Sequence, residues 1–404
     1  MRKIVKVSLA VSITLVSTVY ASTLEDGKMS GNIRLMYSGY NNDNGADTYA
    51  TAVGGQLKYE LAKYKGFNAA VAFTMTHDLD FASGDKNEGE RNDELSGIKG
   101  SYMEVTEAYI DYEFQGLNLR AGRQLLDTPL ADSDDIRVVP NRFEAYIASY
   151  IINGISLTVG YLSQWQGVDA GLDRDDSWVR TGKDGVSFGG IKFSNGYVEA
   201  NAWYYNISNV STTDIANGAD ANGNGAIYID TTGSYTFSDD LEVHAGVQYL
   251  KESELDNSNV EANIYGVMAG VVVNSLGFNI AYNKSAKESG KHSFSGYGGG
   301  TLFTNMDAMI LDEITEDRDA QAVVAGFVYE ISDFNLLYTY GDFKGNTDST
   351  GAKAHITEQN IGVEYSSNDN LTVGATYVID TNKKDPISTN FNDKNFRVLV
   401  SYNF

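Results

Sequence analysis

The chain has 404 residues, no cysteine, 3 prolines and a formal charge of −24. The lack of cysteine excludes disulfides and thiolate metal sites, and so acidic a chain repels the phosphates of nucleic acids. With 41 glycines, 27 tyrosines and 17 phenylalanines against so little proline, the composition favours strands over helices and over disordered tails.

At the start of the chain, Arg2, Lys3 and Lys6 precede or enter an apolar stretch from Val7 to Val16. Ser17 to Ala21 follow, with Val19 and Ala21 at the two positions a signal peptidase reads. The stretch is too short for a membrane anchor, which needs roughly 20 apolar residues. Residues 1–21 are therefore expected to be a cleaved signal peptide and 22–404 the mature domain, whose charge, without those three cations, moves from −24 to −27. No later segment has the roughly 18 consecutive apolar residues of a membrane helix.

From Gly31 onward the sequence alternates with a period of two. Gly31, Ile33, Leu35, Tyr37 and Gly39 form one face, and Asn32, Arg34, Met36 and Ser38 the other. The pattern predicts eighteen strands, at 29–39, 51–61, 67–77, 102–114, 117–125, 142–151, 155–164, 185–194, 197–207, 226–237, 241–251, 260–274, 277–285, 319–331, 334–343, 355–366, 371–379 and 394–404. Short joins such as Gln115-Gly116 and Asn153-Gly154 alternate with long polar stretches such as 41–50, 78–101, 126–141 and 286–318. Gly, Asn and Asp tolerate the positive φ of tight hairpins, which gives the short joins a mechanism. Eight short turns and nine long loops predict an all-β fold, an 18-stranded antiparallel transmembrane β-barrel with short periplasmic turns and long extracellular loops. Pro129, Pro140 and Pro386 all fall in long loops, as a closed ladder requires. Outward rings such as Tyr59, Tyr112, Phe114, Tyr161, Phe237, Tyr249, Tyr282, Tyr329, Tyr365 and Tyr377 suit interfacial girdles. The final RVLVSYNF places Val398, Val400, Tyr402 and Phe404 on one face and is expected to close the barrel against the first strand. A terminal aromatic on such a strand resembles the signal recognised by barrel-assembly machinery.

A barrel of this size is too wide for its inward side chains to fill, and residues 22–28 are too few for a plug domain, so loops are expected to narrow the lumen. The main candidate is 125–146, LLDTPLADSDDIRVVPNRFEAY, with Asp127, Asp132, Asp134 and Asp135 followed by Arg137 and Arg142. Opposed acids and bases create the transverse field of a constriction, the alternative being a solvated surface loop. The segment beginning at Gly122 resembles the third-loop region of the OprD-like outer-membrane porins, with Asp135, Arg137, Pro140 and Phe143 at the positions of an Asp-x-Arg-x-x-Pro-x-x-Phe type pattern. Strand count, signal and C-terminal Phe404 extend the likeness over the whole chain. The resemblance implies a monomeric or trimeric 18-stranded channel in the cell outer membrane, surrounded by its lipid, with an inward third loop and lumen arginines that guide carboxylate-bearing solutes. Arg34, Lys58, Arg120 and Lys192 face inward by alternation and match such a basic track. This chain departs from the pattern in its acidity, because Glu60, Glu107, Asp111, Glu113, Glu199 and Glu242 also face inward, which favours cations. A charged side chain on the lipid face costs up to roughly 2–4 kcal/mol at mid-membrane, which supports the inward placement of the group.

Asp220, Asn222 and Asn224 before Gly225 reproduce the first half of a Ca2+ loop, but Thr231 stands where a chelating Glu should close it, so a partial Ca2+ site competes with a plain Gly- and Asn-rich loop. No other cofactor is expected. Asp169, Asp173, Asp175 and Asp176 either hold a divalent cation together with another loop, or cross-link to lipopolysaccharide through such ions, or are solvated. GYGGGT at 296–301 lacks the Lys-Ser/Thr ending of a phosphate loop. The apolar run from Leu302 to Leu311 after it is expected to fold inward as a second constriction. His244 lies inward beside Glu242, but no Ser stands at a spacing that completes a nucleophilic arrangement, so catalysis is not expected. The reading is a passive diffusion channel for small hydrophilic solutes and ions with weak cation preference. The alternatives are a substrate-specific channel for amino acids, peptides or small carboxylates, and an adhesive barrel of low conductance.

Overall fold

Alternation of apolar and polar residues over ten or more positions forces each segment to be extended and two-faced, and two-faced strands satisfy their backbone groups only by pairing on both edges. The computed structural model describes residues 27–42, 45–97, 99–167, 170, 178–209, 222–367, 370–383 and 393–404. The expected signal peptide, Pro386 and the cluster Asp169, Asp173, Asp175 and Asp176 lie outside the described residues.

Eighteen long strands follow in chain order: β1 (Lys28–Asn42), β2 (Thr48–Glu60), β3 (Phe67–Asp78), β4 (Ser101–Phe114), β5 (Leu117–Gln124), β6 (Arg142–Ile152), β7 (Ile155–Gln166), β8 (Val186–Ser194), β9 (Val198–Ile207), β10 (Asn224–Ser238), β11 (Leu241–Glu254), β12 (Ala262–Val273), β13 (Leu276–Ser285), β14 (Ala320–Ile331), β15 (Phe334–Gly345), β16 (Ala354–Ser367), β17 (Leu371–Asn382) and β18 (Asp393–Asn403). Each pairs antiparallel with its sequence neighbours, and β18 returns to β1 in a register running from Asn32↔Asn403 to Asn42↔Asp393. Gly31 and Phe404 exchange both backbone hydrogen bonds at 3.0 Å, so the last residue of the chain completes the seam. No edge is left for another chain to extend. Alternation in the sequence had placed these strands to within a few residues. The clearest difference is the first long loop, expected at 41–50: β1 and β2 run on through half of it and leave 43–47.

Tight turns close one rim. Gln115 and Gly116 have φ of 47° and 86°, and Asn153 and Gly154 have 49° and 79°, the consecutive positive φ values of hairpin turns that match strand twist.

The two faces of the wall are inverted relative to a soluble protein. Ile33, Val159, Val247 and Ile280 are each more than half exposed on the outside. Thr74, Thr76, Gln248, Asn279 and Asn283 are buried inside. Such an apolar exterior suits hydrocarbon and would aggregate in water. A bulge between Ala72 and Phe73 on β3 leaves Thr106 of β4 unpaired, and both Thr106 and Glu107 are buried on the lumen side.

The β1–β2 contact leaves no room for a side chain at Gly55, whose φ is 145° and whose added Cβ would sit 2.1 Å from the Asn32 carbonyl oxygen. Gly55→Ala is expected to destabilise the barrel by roughly 1–3 kcal/mol, read as a lower unfolding temperature of the heat-modifiable band on electrophoresis.

Candidate functional site: the loop-lined lumen

Inside the barrel, polar wall residues meet loops that must find partners for their own backbone groups, since a folded-in loop loses water. Three long loops turn inward: 79–100 between β3 and β4, 125–141 between β5 and β6, and 286–319 between β13 and β14.

Loop 125–141 begins as a two-rung hairpin, Asp127–Thr128 against Ala131–Asp132. Its apolar residues Leu126, Leu130 and Ala131 join a buried cluster with Phe143, Trp165, Tyr205 and Tyr297. Tyr205 accepts from the Leu130 N–H at 3.4 Å. Backbone bonds from Asp132 N to Tyr297 O (2.9 Å) and from Tyr297 N to Leu130 O (3.0 Å) knit this loop to loop 286–319. The returning half carries the charges. Arg34 on β1 grips Asp135 with two nitrogens at 2.5 and 2.7 Å and donates to the Arg137 carbonyl at 2.8 Å. The Arg137 guanidinium reaches Glu94 of loop 79–100 at 2.7 Å.

Loop 286–319 is held by side chains of four strands. Gln248 of β11 donates to Thr301 O at 3.1 Å and accepts from Phe303 N at 2.6 Å. Asn283 of β13 accepts from both the N–H and the hydroxyl of Thr304 at 3.1 Å. Glu358 of β16 receives the backbone N–H groups of Asp307, Ala308 and Met309 at 2.5–3.3 Å. Arg397 of β18 pairs with Asp307. Leu302, Met309 and Leu311 are buried in the same cluster as Leu130, so the apolar run from Leu302 to Leu311 is folded into the lumen.

Loop 79–100 contributes Glu94, which accepts from Ser38 Oγ of β1 at 2.6 Å, and Leu95, packed against Met36, Ala50, Ala52 and Val138. Burial alone would push the Glu94 carboxyl up. Arg137, Arg397 and hydrogen bonds from Ser38 and Tyr40 more than offset that and hold it below its ordinary value of 4.5.

Below the loops a polar track descends the wall of β2, β4 and β5. Arg142 donates to Gln56 Oε1 at 2.6 Å and to Pro140 O at 2.8 Å, with Glu107 4.0 Å away. Glu107 also accepts from Gln56 (2.6 Å) and from Lys58 (3.0 Å). The Tyr109 ring lies under Lys58 at 5.1 Å and under Arg120 at 4.3 Å, and its hydroxyl donates to Glu60 at 3.2 Å. Arg120 Nε reaches Asp111 at 2.9 Å, and Asn118 binds the same carboxylate at 3.0 Å.

The structure thus brings Arg34, Asp135, Arg137, Arg142, Glu107, Lys58, Arg120 and Asp111 together, but in two environments. Arg34 and Arg142 are 2% and 1% exposed and serve as anchors, whereas Lys58 and Arg120 keep 20% and 34% of their side chains open to the lumen. Asp127 is exposed at the hairpin of loop 125–141, and the Asp134 N–H donates to the Asp132 carboxylate at 2.9 Å. Elsewhere, Lys192 is exposed on the wall of β8, and Glu199 begins the next strand. Asp230, on the neighbouring β10, is held by Asn201. Glu113 pairs with Lys63 near the short-turn rim, and Glu242 with Thr236 at 3.5 Å. Of the Ca2+ triplet, Asp220 lies outside the described residues. Asn224 opens β10 with its amide 3.3 Å from Asn222 O and 3.5 Å from Glu252. Sequence reasoning passed over Glu94, Gln248, Glu358 and Arg397. Only the last two carry a signal that alternation exposes, an inward charge near a strand end.

No protein-family model matches the sequence, and no curated protein matches it. Solved structures do. OpdK of Pseudomonas aeruginosa, crystallised with vanillate, has a TM-score of 0.77 at 16% identity, covering 95% of this chain and 100% of that one. OccAB2 of Acinetobacter baumannii gives 0.78 at 13%, covering 95% and 99%, and OpdL of Pseudomonas aeruginosa 0.73 at 13%, covering 94% and 99%. The fold is therefore the closed eighteen-stranded barrel of these outer-membrane channels.

Arg34→Ala is expected to loosen loop 125–141 by about 3 kcal/mol, the low end for a broken buried pair because Asp135 is 29% exposed. New protease cleavage within 125–141 and a larger single-channel conductance would register it. A folded-state value below 4.5 for Glu94 means that its clamp is complete above that value and is lost as pH falls through the depressed one. Pepsin is thus expected to cut the inward loops only below about pH 4.5, and Glu94→Gln to remove that pH dependence.

Proposed function

We propose that this barrel is a passive outer-membrane channel of the OprD-like type, selective for small carboxylate-bearing solutes. The observation that carries the reading is the uneven exposure of the track on β2, β4 and β5. Of its acids, Glu107 and Asp111, which bind the cations, are 2% and 9% exposed and Glu60, beneath the Tyr109 hydroxyl, is half-buried, while its cations Lys58 and Arg120 are 20% and 34% exposed. The buried carboxylates fix the cations in place, and the edge presented to a passing solute is positive. The Tyr109 ring between the two cations offers an apolar surface next to them, which fits a carboxylate on a small aromatic or aliphatic body. OpdK, similar in fold, was crystallised with vanillate, a small aromatic carboxylate.

In this mechanism the solute enters beside loops 125–141 and 286–319. Its carboxylate exchanges water for Lys58 and then for Arg120, each close enough to the next for transfer without full release. Flux follows the concentration gradient.

The formal charge of −24 and the exposed Glu113 support a second reading, a wide channel with weak cation preference. Reversal potentials across a KCl gradient in planar bilayers, with and without benzoate, separate the two. Carboxylate selectivity predicts anion preference and benzoate block, with Lys58→Gln plus Arg120→Gln weakening the block about 10- to 100-fold, as expected for lost charge-assisted hydrogen bonds. Cation-selective steps that benzoate leaves untouched would sink it in favour of the second reading.

A further inference from the structure

The outer surface of the barrel carries a feature that solute passage does not use. One register row crosses six adjacent strands, β11 to β16, on the outward face: Tyr249↔Tyr265, Tyr265↔Lys284, Lys284↔Gln321, Gln321↔Lys344 and Lys344↔His355, after which the N–H of Lys383, just past the end of β17, donates to the His355 carbonyl at 2.7 Å. Lys251 stands two residues beyond Tyr249 on the same face of β11. From β13 to β16 the row lies one residue from where strand gives way to long loop. Below it the outward face becomes apolar and aromatic, immediately at Val323 and one step further down at Ile280 and Tyr340, with Asp342 and Thr357 between on β15 and β16.

Adjacent strands lie about 4.8 Å apart, so Lys284 and Lys344 project side by side with only Gln321 between them. Lys251, Lys284, Lys344 and Lys383 are all exposed. Lys344 and His355 share Asp342, and Asp319, one step toward the loops, accepts from the Lys287 N–H. Lys251, Lys284 and Lys383 have no such carboxylate among the described residues. In a chain of net charge −24, a row at the edge of the apolar belt whose lysines outnumber its one carboxylate, Asp342, is the reverse of what a merely solvated rim would show.

We propose that this row is a docking surface for the phosphate groups of a phosphorylated glycolipid in the outer leaflet, with Lys251 and Lys284 as the phosphate ligands and Lys344 and Lys383 continuing the row beside them. Charge complementarity argues for that occupant. The acidic chain as a whole repels polyanions in solution, so only an anion held by its own acyl chains at this height meets the row without crossing the acidic loops. The Tyr249 and Tyr265 rings, 5.1 Å apart and tilted by 33°, continue the row as an interfacial surface for the sugar body. The proposal rests on the outer-membrane reading, with the long loops facing outward.

The test uses purified, folded barrel in detergent with EDTA, titrated with diphosphoryl lipid A and with its dephosphorylated form. Wild type is expected to bind the diphosphoryl form selectively, with no competition from millimolar inorganic phosphate. Lys251→Gln plus Lys284→Gln should bind about 30-fold more weakly, as two contacts near an anionic surface imply. Lys251→Arg plus Lys284→Arg should keep affinity, and so should Lys28→Gln plus Lys65→Gln on the opposite rim. Equal affinity of wild type and the double Gln variant, equal binding of the dephosphorylated lipid, or binding that requires added Ca2+ would each overturn it. Bilayer conductance recorded on the same samples keeps the two readings apart: channels that conduct as wild type while lipid binding fails would reject the docking surface alone.

Discussion

Buried guanidinium–carboxylate pairs at the seam between β18 and β1 are what the interior of this barrel depends on. Arg34 and Ser38 come from β1 and Arg397 from β18, and through Asp135, Glu94 and Asp307 they hold a residue from each of the three inward loops. Arg137 ties two of those loops to one another. A carboxylate brought out of water needs a partner of opposite charge, and each of these acids has an arginine, with Ser38 and Tyr40 adding hydrogen bonds to Glu94. Closing the barrel and folding its loops are therefore one event: the strand pair that completes the ladder also assembles the anchor for the lumen.

Away from the seam the loops are held largely through hydrogen bonds to their backbone. The Glu358 carboxylate collects three consecutive N–H groups, while Gln248 and Asn283 act as surrogate backbone for Phe303 and Thr304. The apolar side chains between these contacts pack into one cluster with the inward faces of β6 to β16. Polar wall residues thus satisfy loop backbone, and apolar ones fill the space between, so the lumen near the long loops is packed as a core while Lys58 and Arg120 on the wall of β2 and β5 keep part of their side chains exposed.

Much of this was legible from alternation. A charged side chain cannot face hydrocarbon, so parity alone put Arg34, Lys58, Glu107, Asp111 and Arg120 inside, and the apolar run from Leu302 to Leu311, out of place in water, signalled an inward loop. Parity does not say whether an inward charge is open or buried. Arg34 and Lys58 read alike in the sequence, yet one is sealed beneath a loop and the other faces the lumen. Asn224, read as part of a loop, begins β10 instead, because pairing with Ile207 and Glu254 extends the ladder to it.

The sequence by itself determined the strand count, the faces and the sites of the turns, because each depends on neighbours one or two residues away and on the single distinction between lipid and water. The partners of the charged groups were decided only by the tertiary structure. Arg34 and Asp135 are 101 residues apart and Ser38 and Asn395 are 357, separations at which no local pattern carries information and only closure of the barrel brings the groups into contact.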